Sequence, residues 1–325
     1  MRPDLLHVVT CISNPVRYRS RWRLYERFLE RMLRVGVSIT TVELTYGERH
    51  SEVALIIERV QAAIERIRRP NVHHVRLESE DELWHKENLL NIGARRVDAK
   101  YIAFIDADIV FHHTGWAAEA VERLQLFNIV QLFSHAIDLD PDCQPLLNQP
   151  ARTGLAYGWR HGLPDSHRRY GGYWHPGYAW AMRRQVFEDL GGLIDCAVVG
   201  AADWHMARAF IGEAASTLKA NYTEGYKGRI LAFQERCERY VERDLGYVPG
   251  LITHEWHGKK TDRGYPTRSQ ILIEHRFDPN TDLSYNHAEG GLIEWSHVTT
   301  PRMRGLRDDV RRYLRSRNED SIDVA

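Results

Sequence analysis

The sequence predicts an α/β fold: a mixed, mainly parallel sheet flanked by helices, with a helical C-terminal extension. Segments with strand and helix periodicity alternate over the first 100 residues, an order typical of parallel βαβ units. Residues 101–105 (YIAFI) are apolar, aromatic or β-branched, which is typical of a strand buried on both faces. The chain has 325 residues, 43% of them hydrophobic and 27% charged, which is enough for a large globular core.

The expected elements follow from hydrophobic periodicity and from the residues that end each segment. Trp22, Tyr25 and Phe28 stand at helical spacing, and Gly36 ends that helix. Strands are expected at residues 5–12, 37–44, 72–77, 101–105, 129–133, 177–182 and 251–256. Helices are expected at residues 19–35, 53–67, 82–97, 117–126, 184–190, 204–212, 230–245, 269–275 and 302–317.

The remaining segments set the expected organisation of the chain. Residues 138–166 are rich in proline, glycine and polar residues and predict a long loop or a small insertion over the C-terminal edge of the sheet. Residues 1–270 are expected to form one domain, and residues 271–325 a helical extension packed on it.

Composition limits the class of protein. The 44 basic and 44 acidic residues balance, so the net charge neither requires nor excludes a polyanionic partner, although arginines cluster at residues 17–23 and 302–317. Four well-separated cysteines argue against a zinc site or a disulfide framework and suit a reducing compartment. No signal-peptide layout and no apolar run of about 20 residues is present, so we expect a cytoplasmic protein without a membrane partner.

Two glycine motifs of nucleotide-binding proteins are missing. The first expected strand leads into N-P-V-R-Y-R, not into G-x-G-x-x-G, and the chain contains no G-x-x-x-x-G-K-[ST]. If the sheet binds a nucleotide, side chains and a metal must therefore replace the backbone N–H cradle. The same observation disfavours a sugar-nucleotide pyrophosphorylase.

Two carboxylates, Asp106 and Asp108, follow the expected strand at residues 101–105 directly. On an extended backbone this D-x-D spacing aims both side chains to one side. Like charges at the end of a buried strand need a compensating cation, and carboxylate oxygens suit Mg²⁺ or Mn²⁺. The motif predicts a metal–diphosphate site; the alternative is a solvated loop with two aspartates.

Several blocks together resemble the GT-A-fold, metal-dependent glycosyltransferases, in the order found in the β-1,4-galactosyltransferase family. N-P-V-R-Y-R resembles that family's P-x-R-x-R, which implies that Arg17 and Arg19 contact the nucleotide; the alternative is a solvated helix start. L-W-H-K-E-N-L-L-N-I-G-A at residues 83–94 resembles the block before the metal strand. This match implies that Trp84 lies near the base and Lys86 near phosphate or ribose.

The same resemblance implies a metal shell. In it Asp108 binds the metal directly, and Asp106 lies in the ribose or metal shell. T-H-E-W-H-G-K-K-T-D-R-G-Y-P-T-R at residues 253–268 fits the late histidine ligand of such enzymes, with His257 or His254 as the candidate. A purely structural histidine is the alternative.

Other residues of that segment and of an earlier block have implied roles on the donor and acceptor sides. Lys259, Lys260 and Arg263 are expected to clamp the diphosphate as a lid. Residues 177–205 resemble the acceptor-side block, which gives Asp203 as the general base; the alternative is a cap on the next helix. The aromatic residues expected to line the acceptor or sugar pocket, or else to pack in the core, are Tyr173, Trp174 and His175.

The resemblance implies transfer of a hexose or related sugar from a UDP-sugar to a hydroxyl, with Mn²⁺ or Mg²⁺ and with inversion. The H-x-W-H-G…R-x-Y segment also resembles bacteriophage glycosyltransferases, several of which modify hydroxymethylated pyrimidines in DNA. The expected acceptor is therefore a 5-hydroxymethylpyrimidine such as 5-hydroxymethylcytosine in phage DNA, in the host cytoplasm. A protein or glycan acceptor, a metal-dependent phosphodiesterase and a non-catalytic binding module are the alternatives.

Overall fold

The computed structural model describes residues 5–64, 71–147, 149–165 and 174–324. The strands are β1 (Leu6–Ser13), β2 (Ser38–Tyr46), β3 (Val72–Ser79), β4 (Tyr101–Ile105), β5 (Ile109–Phe111), β6 (Ile129–Gln131), β7 (His135–Asp138), β8 (Arg152–Thr153), β9 (Ala179–Arg183), β10 (Leu245–Tyr247), β11 (Leu251–His254), β12 (Leu283–Asn286) and β13 (Leu292–Trp295). The helices are α1 (Arg19–Val35), α2 (Glu52–Ala63), α3 (Lys86–Arg95), α4 (Trp116–Leu126), α5 (Leu155–Arg160), α6 (Arg184–Asp189), α7 (Ala202–Phe210), α8 (Glu224–Tyr240), α9 (Arg268–Glu274), α10 (Pro279–Asp282) and α11 (Pro301–Ser316).

A seven-stranded sheet in the order β10-β6-β9-β4-β1-β2-β3 forms the centre of the protein. Strand β9 runs antiparallel to its neighbours β4 and β6, and the other neighbouring pairs are parallel. The expected mixed, mainly parallel sheet is therefore confirmed. Because β1 and β4 are parallel neighbours, the loop after Ser13 and the D-x-D motif after Ile105 leave the sheet at the same edge.

Helices cover both faces of this sheet. Successive residues of β1 point to opposite faces, so Val8 and Val9, both fully buried, belong to two different apolar clusters. Helices α1, α2 and α4 pack on the Val8 side, and α3, α7, α8 and α11 on the Val9 side. Gly93 of α3 has no side chain, and a Cβ there would stand 2.7 Å from Val42 and 2.8 Å from Val9. This close approach fixes α3 against the sheet and so places its first residue, Lys86.

A second sheet, in the order β5-β11-β7-β8, extends from the D-x-D motif. Strand β11 pairs antiparallel with β5, with His254 opposite Ile109, and parallel with β7, with His254 opposite Asp138. This register brings together Asp108, Asp138 and His254, which lie far apart in sequence. The small sheet thus builds the metal-like cluster described below.

Most expected elements are confirmed, with three corrections. Of the two alternatives for residues 138–166, the single long loop is wrong and the small insertion agrees with the structure, because β8 and α5 form there. The helix expected at residues 230–245 ends at Tyr240, and Leu245 begins an edge strand that pairs with β6. The segment after residue 270 contains a β12–β13 hairpin besides its helices. Helix α2 ends at Ala63, and the last part of the helix predicted at residues 53–67 lies outside the described residues.

None of the helices in the described part of the chain is both long and apolar enough to cross a membrane. The division into a domain ending at residue 270 and an extension stays a prediction.

Candidate functional site

A cavity of about 650 Å³ opens where β1 and β4 end. Both aspartates of the D-x-D motif line it. The backbone there is a tight turn, with the N–H of Ile109 bonded to the carbonyl of Asp106, and not the extended segment expected from the sequence. The charged residues and histidines in the cavity lining include Arg21, Lys86, Glu87, Arg152, His175, Asp203, His254, His257, Lys260, Arg263, Arg268, Arg317 and Glu319.

Asp108, His254 and His257 form a compact group of potential metal ligands. One ligand atom from each lies within 4.8 Å of the others. Oδ2 of Asp108 is 2.9 Å from Nε2 of His257 and 3.5 Å from Nε2 of His254, and the two Nε2 atoms are 3.1 Å apart. Burial alone would raise the pKa of Asp108, but the two histidines hold it well below its usual range. A charged carboxylate and two imidazole nitrogens therefore converge on one point.

Asp138 supports this cluster from behind. Its Oδ1 accepts a hydrogen bond from Nδ1 of His254 at 2.9 Å, and its other partners include Tyr178, Arg152 and Lys260. Since Nδ1 of His254 carries the proton in this contact, its Nε2 is left free to act as a ligand. Sequence reasoning missed Asp138, because only the β7–β11 register shows that it lies beside His254.

Lys86 and Asp106 form an ion pair that also lines the cavity. Nζ of Lys86 is 2.5 Å from Oδ1 of Asp106. Burial acts to lower the pKa of Lys86, but attraction to Asp106, Glu87 and Asp203 together outweighs it and raises the pKa above its usual range. The lysine therefore remains charged beside the D-x-D motif, as a phosphate-binding residue must.

Asp203 lies in the first turn of α7 and lines the same cavity. The residue that caps this helix is Ala201, so Asp203 is not the helix cap considered above; its Oδ1 accepts from the N–H of Trp204 at 2.9 Å. Next to it is Glu87, which is only 5% exposed. Burial raises the pKa of Glu87 to about 7, and the charge of Asp203 acts in the same direction. Sequence reasoning missed Glu87 as well, because nothing in its motif signals a protonated carboxyl.

The raised pKa of Glu87 predicts a stability change with pH. Between the usual value of 4.5 and the folded value of about 7 the native state binds the extra proton, so stability is lost as the pH rises through this window. Glu87→Gln should therefore gain about 2 to 3 kcal/mol relative to wild type between about pH 5 and pH 8. Urea unfolding of both proteins at each pH measures this. A pH-independent difference between them would contradict the prediction.

The two arginines expected to contact the nucleotide lie outside the cavity lining. Arg17 is 49% exposed and pairs with Glu52, and Arg19 is exposed at the start of α1. Arg21, two residues later, lines the cavity instead, together with Arg317. The N-P-V-R-Y-R segment therefore borders the cavity, but the arginine that faces inward depends on how α1 begins.

The three expected clamp residues separate into two groups. Lys260 and Arg263 line the cavity, whereas Lys259 pairs with Asp323 and is not among the lining residues. Burial lowers the pKa of Lys260 to about 8. Arg263 is buried, and its Nε has no hydrogen-bond partner in the part of the chain that the structure describes.

The expected aromatic residues also separate. Trp84 lines the cavity, and the guanidinium of Arg317 lies 4.9 Å from the centre of its ring. His175 lines the cavity and stacks on Tyr178 at 3.8 Å. Trp174 packs in the core and is not a lining residue. Tyr173 lies outside the described residues.

Several arginines of α1 and α11 are engaged with carboxylates of the chain itself. In α1, Arg27 and Arg31 both pair with Glu255. In α11, Arg311 and Arg315 both pair with Glu82. These pairs reduce the positive charge that either helix offers to a polyanion.

No protein-family model matches the chain, and no curated protein matches it. Solved structures with some similarity include Staphylococcus aureus TarS in complex with UDP-GlcNAc, at 8% identity and a TM-score of 0.43; the match covers 77% of this chain and 58% of that one. Mycobacterium tuberculosis glucosyl-3-phosphoglycerate synthase, in complex with Mn²⁺, UDP and phosphoglyceric acid, has 13% identity and a TM-score of 0.43, covering 92% and 90%.

The catalytic domain of Drosophila β1,4-galactosyltransferase 7, in complex with xylobiose, has 12% identity and a TM-score of 0.31, covering 75% of this chain and 64% of that one. The chain thus spans less than two thirds of the TarS chain in complex with UDP-GlcNAc. Similarities at this level assign no activity, so a functional proposal has to be argued from the side chains of this protein.

Proposed function

We propose that the protein is a metal-dependent glycosyltransferase that moves a sugar from a UDP-sugar to a hydroxyl group. One observation carries the proposal: an Asp–His–His cluster, a cationic wall and a separate carboxylate, Asp203, line one cavity at the carboxyl ends of the parallel strands. In α/β sheets this edge is where ligands bind.

The donor atoms in the cluster fit a divalent metal ion. Oδ1 of Asp108 is buried and has no hydrogen-bond partner among the described residues. The two Nε2 atoms are only 3.1 Å apart, and the charge partner that they share is the carboxylate of Asp108. Asp108, His254 and His257 would hold the ion. Two imidazoles in the set suit Mn²⁺ better than Mg²⁺, which prefers oxygen ligands. A bound metal supplies Lewis-acid stabilisation of the diphosphate.

The cationic wall suits a nucleoside diphosphate. Of the residues expected to bind the donor, the positively charged ones that line the cavity are Lys86, Lys260 and Arg263. We add Arg21 and Arg317, which also line it. Buried guanidinium groups are well suited to phosphate, because their planar donors match its oxygens. Trp84 offers an aromatic face to the base. Asp106 orients Lys86 and is available to the ribose or the metal shell.

Asp203 is the proposed general base that takes the proton of the acceptor hydroxyl. It lies in the cavity on α7, whereas the metal-like cluster is built from the D-x-D turn and β11. If Asp203 takes this proton on the face of the sugar opposite the leaving group, the transfer proceeds with inversion. His175 borders the cavity as a neutral ring, because burial lowers its pKa well below the usual value.

The acceptor is proposed only as a hydroxyl. A 5-hydroxymethylpyrimidine in DNA remains the first acceptor to test, because the base would be brought to a concave aromatic pocket. Arginines of α1 and α11 pair with carboxylates of the chain, which reduces the charge that they offer to DNA. An uncharged acceptor, such as a hydroxyl on a glycan or a protein, is therefore supported equally well. A metal-dependent phosphodiesterase is less well supported, because the described residues contain a single metal-like cluster, where two-metal hydrolases use two ions.

The decisive experiment mixes the protein with Mn²⁺, a panel of UDP-sugars and DNA containing 5-hydroxymethylcytosine or 5-hydroxymethyluracil, with glycans and peptides in parallel. UDP release is followed, and the nucleosides of the digested DNA are weighed. A nucleoside heavier by one sugar supports the transferase and the DNA acceptor together. UDP release with unmodified DNA supports the transferase and directs the search to glycans and proteins. Absence of UDP release with every sugar and acceptor contradicts the proposal.

A further inference from the structure

Residues 317–321 pack against two segments that flank the cavity, and we call them the docking segment. The hydroxyl of Tyr18 donates to the carbonyl of Arg315 at 2.9 Å, just before the segment, and accepts from the N–H of Asn318 at 3.1 Å. Asp320 accepts from two backbone N–H groups at the start of α1. Nε1 of Trp256 donates to the carbonyl of Ser321 at 2.6 Å. The segment therefore joins the beginning of α1 to the loop that carries His257.

Glu319, like Arg317 of the same segment, lines the cavity. Its side chain is fully buried, yet the residue belongs to the cavity lining. Its carboxylate accepts from Nε and a terminal nitrogen of Arg21 at 2.6 and 2.7 Å, and from Nε of Arg317 at 2.7 Å. Its Oε2 also lies 3.7 Å from Nδ1 of His257. One carboxylate thus contacts two cavity arginines and approaches a proposed metal ligand.

The docking is tight at Gly258, next to His257. A Cβ at this position would stand 2.6 Å from the carbonyl oxygen of Asn318 and 2.9 Å from Cα of Glu319, both backbone atoms. With a φ of +84°, Gly258 also adopts a conformation that L side chains rarely take. Only glycine lets the docking segment come this close, so its position relative to His257 is fixed.

We propose that Glu319 is a positioning residue of the metal and donor site: it orients His257 for the metal and holds Arg21 and Arg317 along the cavity for the diphosphate. This inference rests on the proposed function. A carboxylate on the Nδ1 side favours the tautomer that leaves Nε2 free for a metal. The same negative charge keeps two arginines in fixed orientations, which lowers the ordering cost of binding an anion.

Glu319 can position these three side chains because its negative charge lies between them. Arg21 and Arg317 both bind the same carboxylate, so they are held close to each other despite their like charges. At 3.7 Å the contact with His257 is too long for a hydrogen bond, and it acts through charge. Asp138 makes the corresponding contact with His254 at 2.9 Å, so each proposed histidine ligand has a carboxylate on its Nδ1 side.

The test compares wild type with Glu319→Gln, Glu319→Asp and Asp320→Ala. Mn²⁺ binding is measured by calorimetry, UDP binding with and without Mn²⁺, and folding by thermal melting. Glu319→Gln should weaken Mn²⁺ about 10- to 100-fold, the usual cost of losing such a supporting group. It should also weaken UDP binding in the absence of metal, because the two arginines lose their common partner. If Glu319→Gln does not fold, Glu319→Asp, which keeps the charge but moves it away from His257 and the two arginines, is expected to show part of both losses.

Asp320→Ala is the matched control, because it removes the neighbouring carboxylate and its two bonds to the start of α1 without touching His257, Arg21 or Arg317, while the contacts at Gly258 and Trp256 keep the docking segment in place. Its melting temperature should fall while Mn²⁺ affinity stays within about twofold of wild type. A folded Glu319 variant that binds Mn²⁺ and UDP like wild type overturns the inference alone. So does an Asp320→Ala protein that loses as much affinity as Glu319→Gln. A wild-type protein that binds no Mn²⁺ contradicts the proposed function itself.

Discussion

Replacing Asp108 with alanine is expected to abolish Mn²⁺-dependent binding of UDP. The carboxylate is the sole oxygen donor of the Asp–His–His cluster, and its removal leaves two imidazoles whose Nε2 atoms are 3.1 Å apart. Loss of a direct ligand should exceed the roughly 10- to 100-fold cost of losing a supporting residue, so Mn²⁺ affinity should fall by more than about 100-fold. Calorimetric titration with Mn²⁺, followed by UDP titration at saturating and at zero metal, measures both effects.

Two further variants test whether the loss of affinity comes from the missing negative charge of Asp108. Asp108→Asn keeps the shape of the side chain and should lose most of the same affinity, because the amide lacks the negative charge that the metal requires. Asp142→Ala removes an exposed carboxylate outside the cavity and should leave both titrations unchanged. UDP affinity in Mn²⁺ that is the same in wild type and Asp108→Ala would remove the metal assignment.

Asp203→Asn is expected to lower kcat by about 10² to 10⁴, the usual contribution of a general base. Asparagine keeps the bond from the N–H of Trp204, so α7 should retain its position. Donor binding should change little, because the groups proposed to hold the donor lie elsewhere in the cavity. Steady-state UDP release, measured with whichever acceptor the panel identifies, gives kcat and KM separately.

The donor titration distinguishes a base from a binding residue. Mn²⁺ and UDP affinities of Asp203→Asn should stay within about twofold of wild type, so that the loss is confined to kcat. A kcat reduced by less than about tenfold would exclude Asp203 as the base, since that is below the usual range for general base catalysis. The anomeric configuration of the product, read by NMR, independently tests inversion.

Much of the fold follows from local sequence patterns. The helix at residues 19–35 and the strand at residues 101–105 have the predicted bounds, because periodicity, a terminal glycine and a short apolar run each act locally. The failures are of a different kind. Strand β10 is a three-residue edge strand that exists only because β6 is beside it, and β8 has two residues. Segments this short carry no periodicity of their own.

The candidate site was predictable to the extent that its motifs are contiguous. The D-x-D motif, the H-x-W-H-G segment and Asp203 line the cavity as expected. Asp138 and Glu319 were not found, since one depends on the pairing of β7 with β11 and the other on docking of residues 317–321. The choice of Arg21 over Arg17 and Arg19 depends on the turn before α1, where the backbone of Arg17 has a φ of 64°.

The contact between Arg21 and Glu319 has a consequence for how the protein is made. The two residues are 298 positions apart, and synthesis at about 5 to 20 residues per second separates their appearance by about 15 to 60 s. Throughout that interval Arg21 lacks its carboxylate partner. The loop that carries His257 is also translated before Glu319 and lacks the same carboxylate until then. The cavity with its Arg21–Glu319 contact therefore cannot be completed before residue 319 has been synthesised.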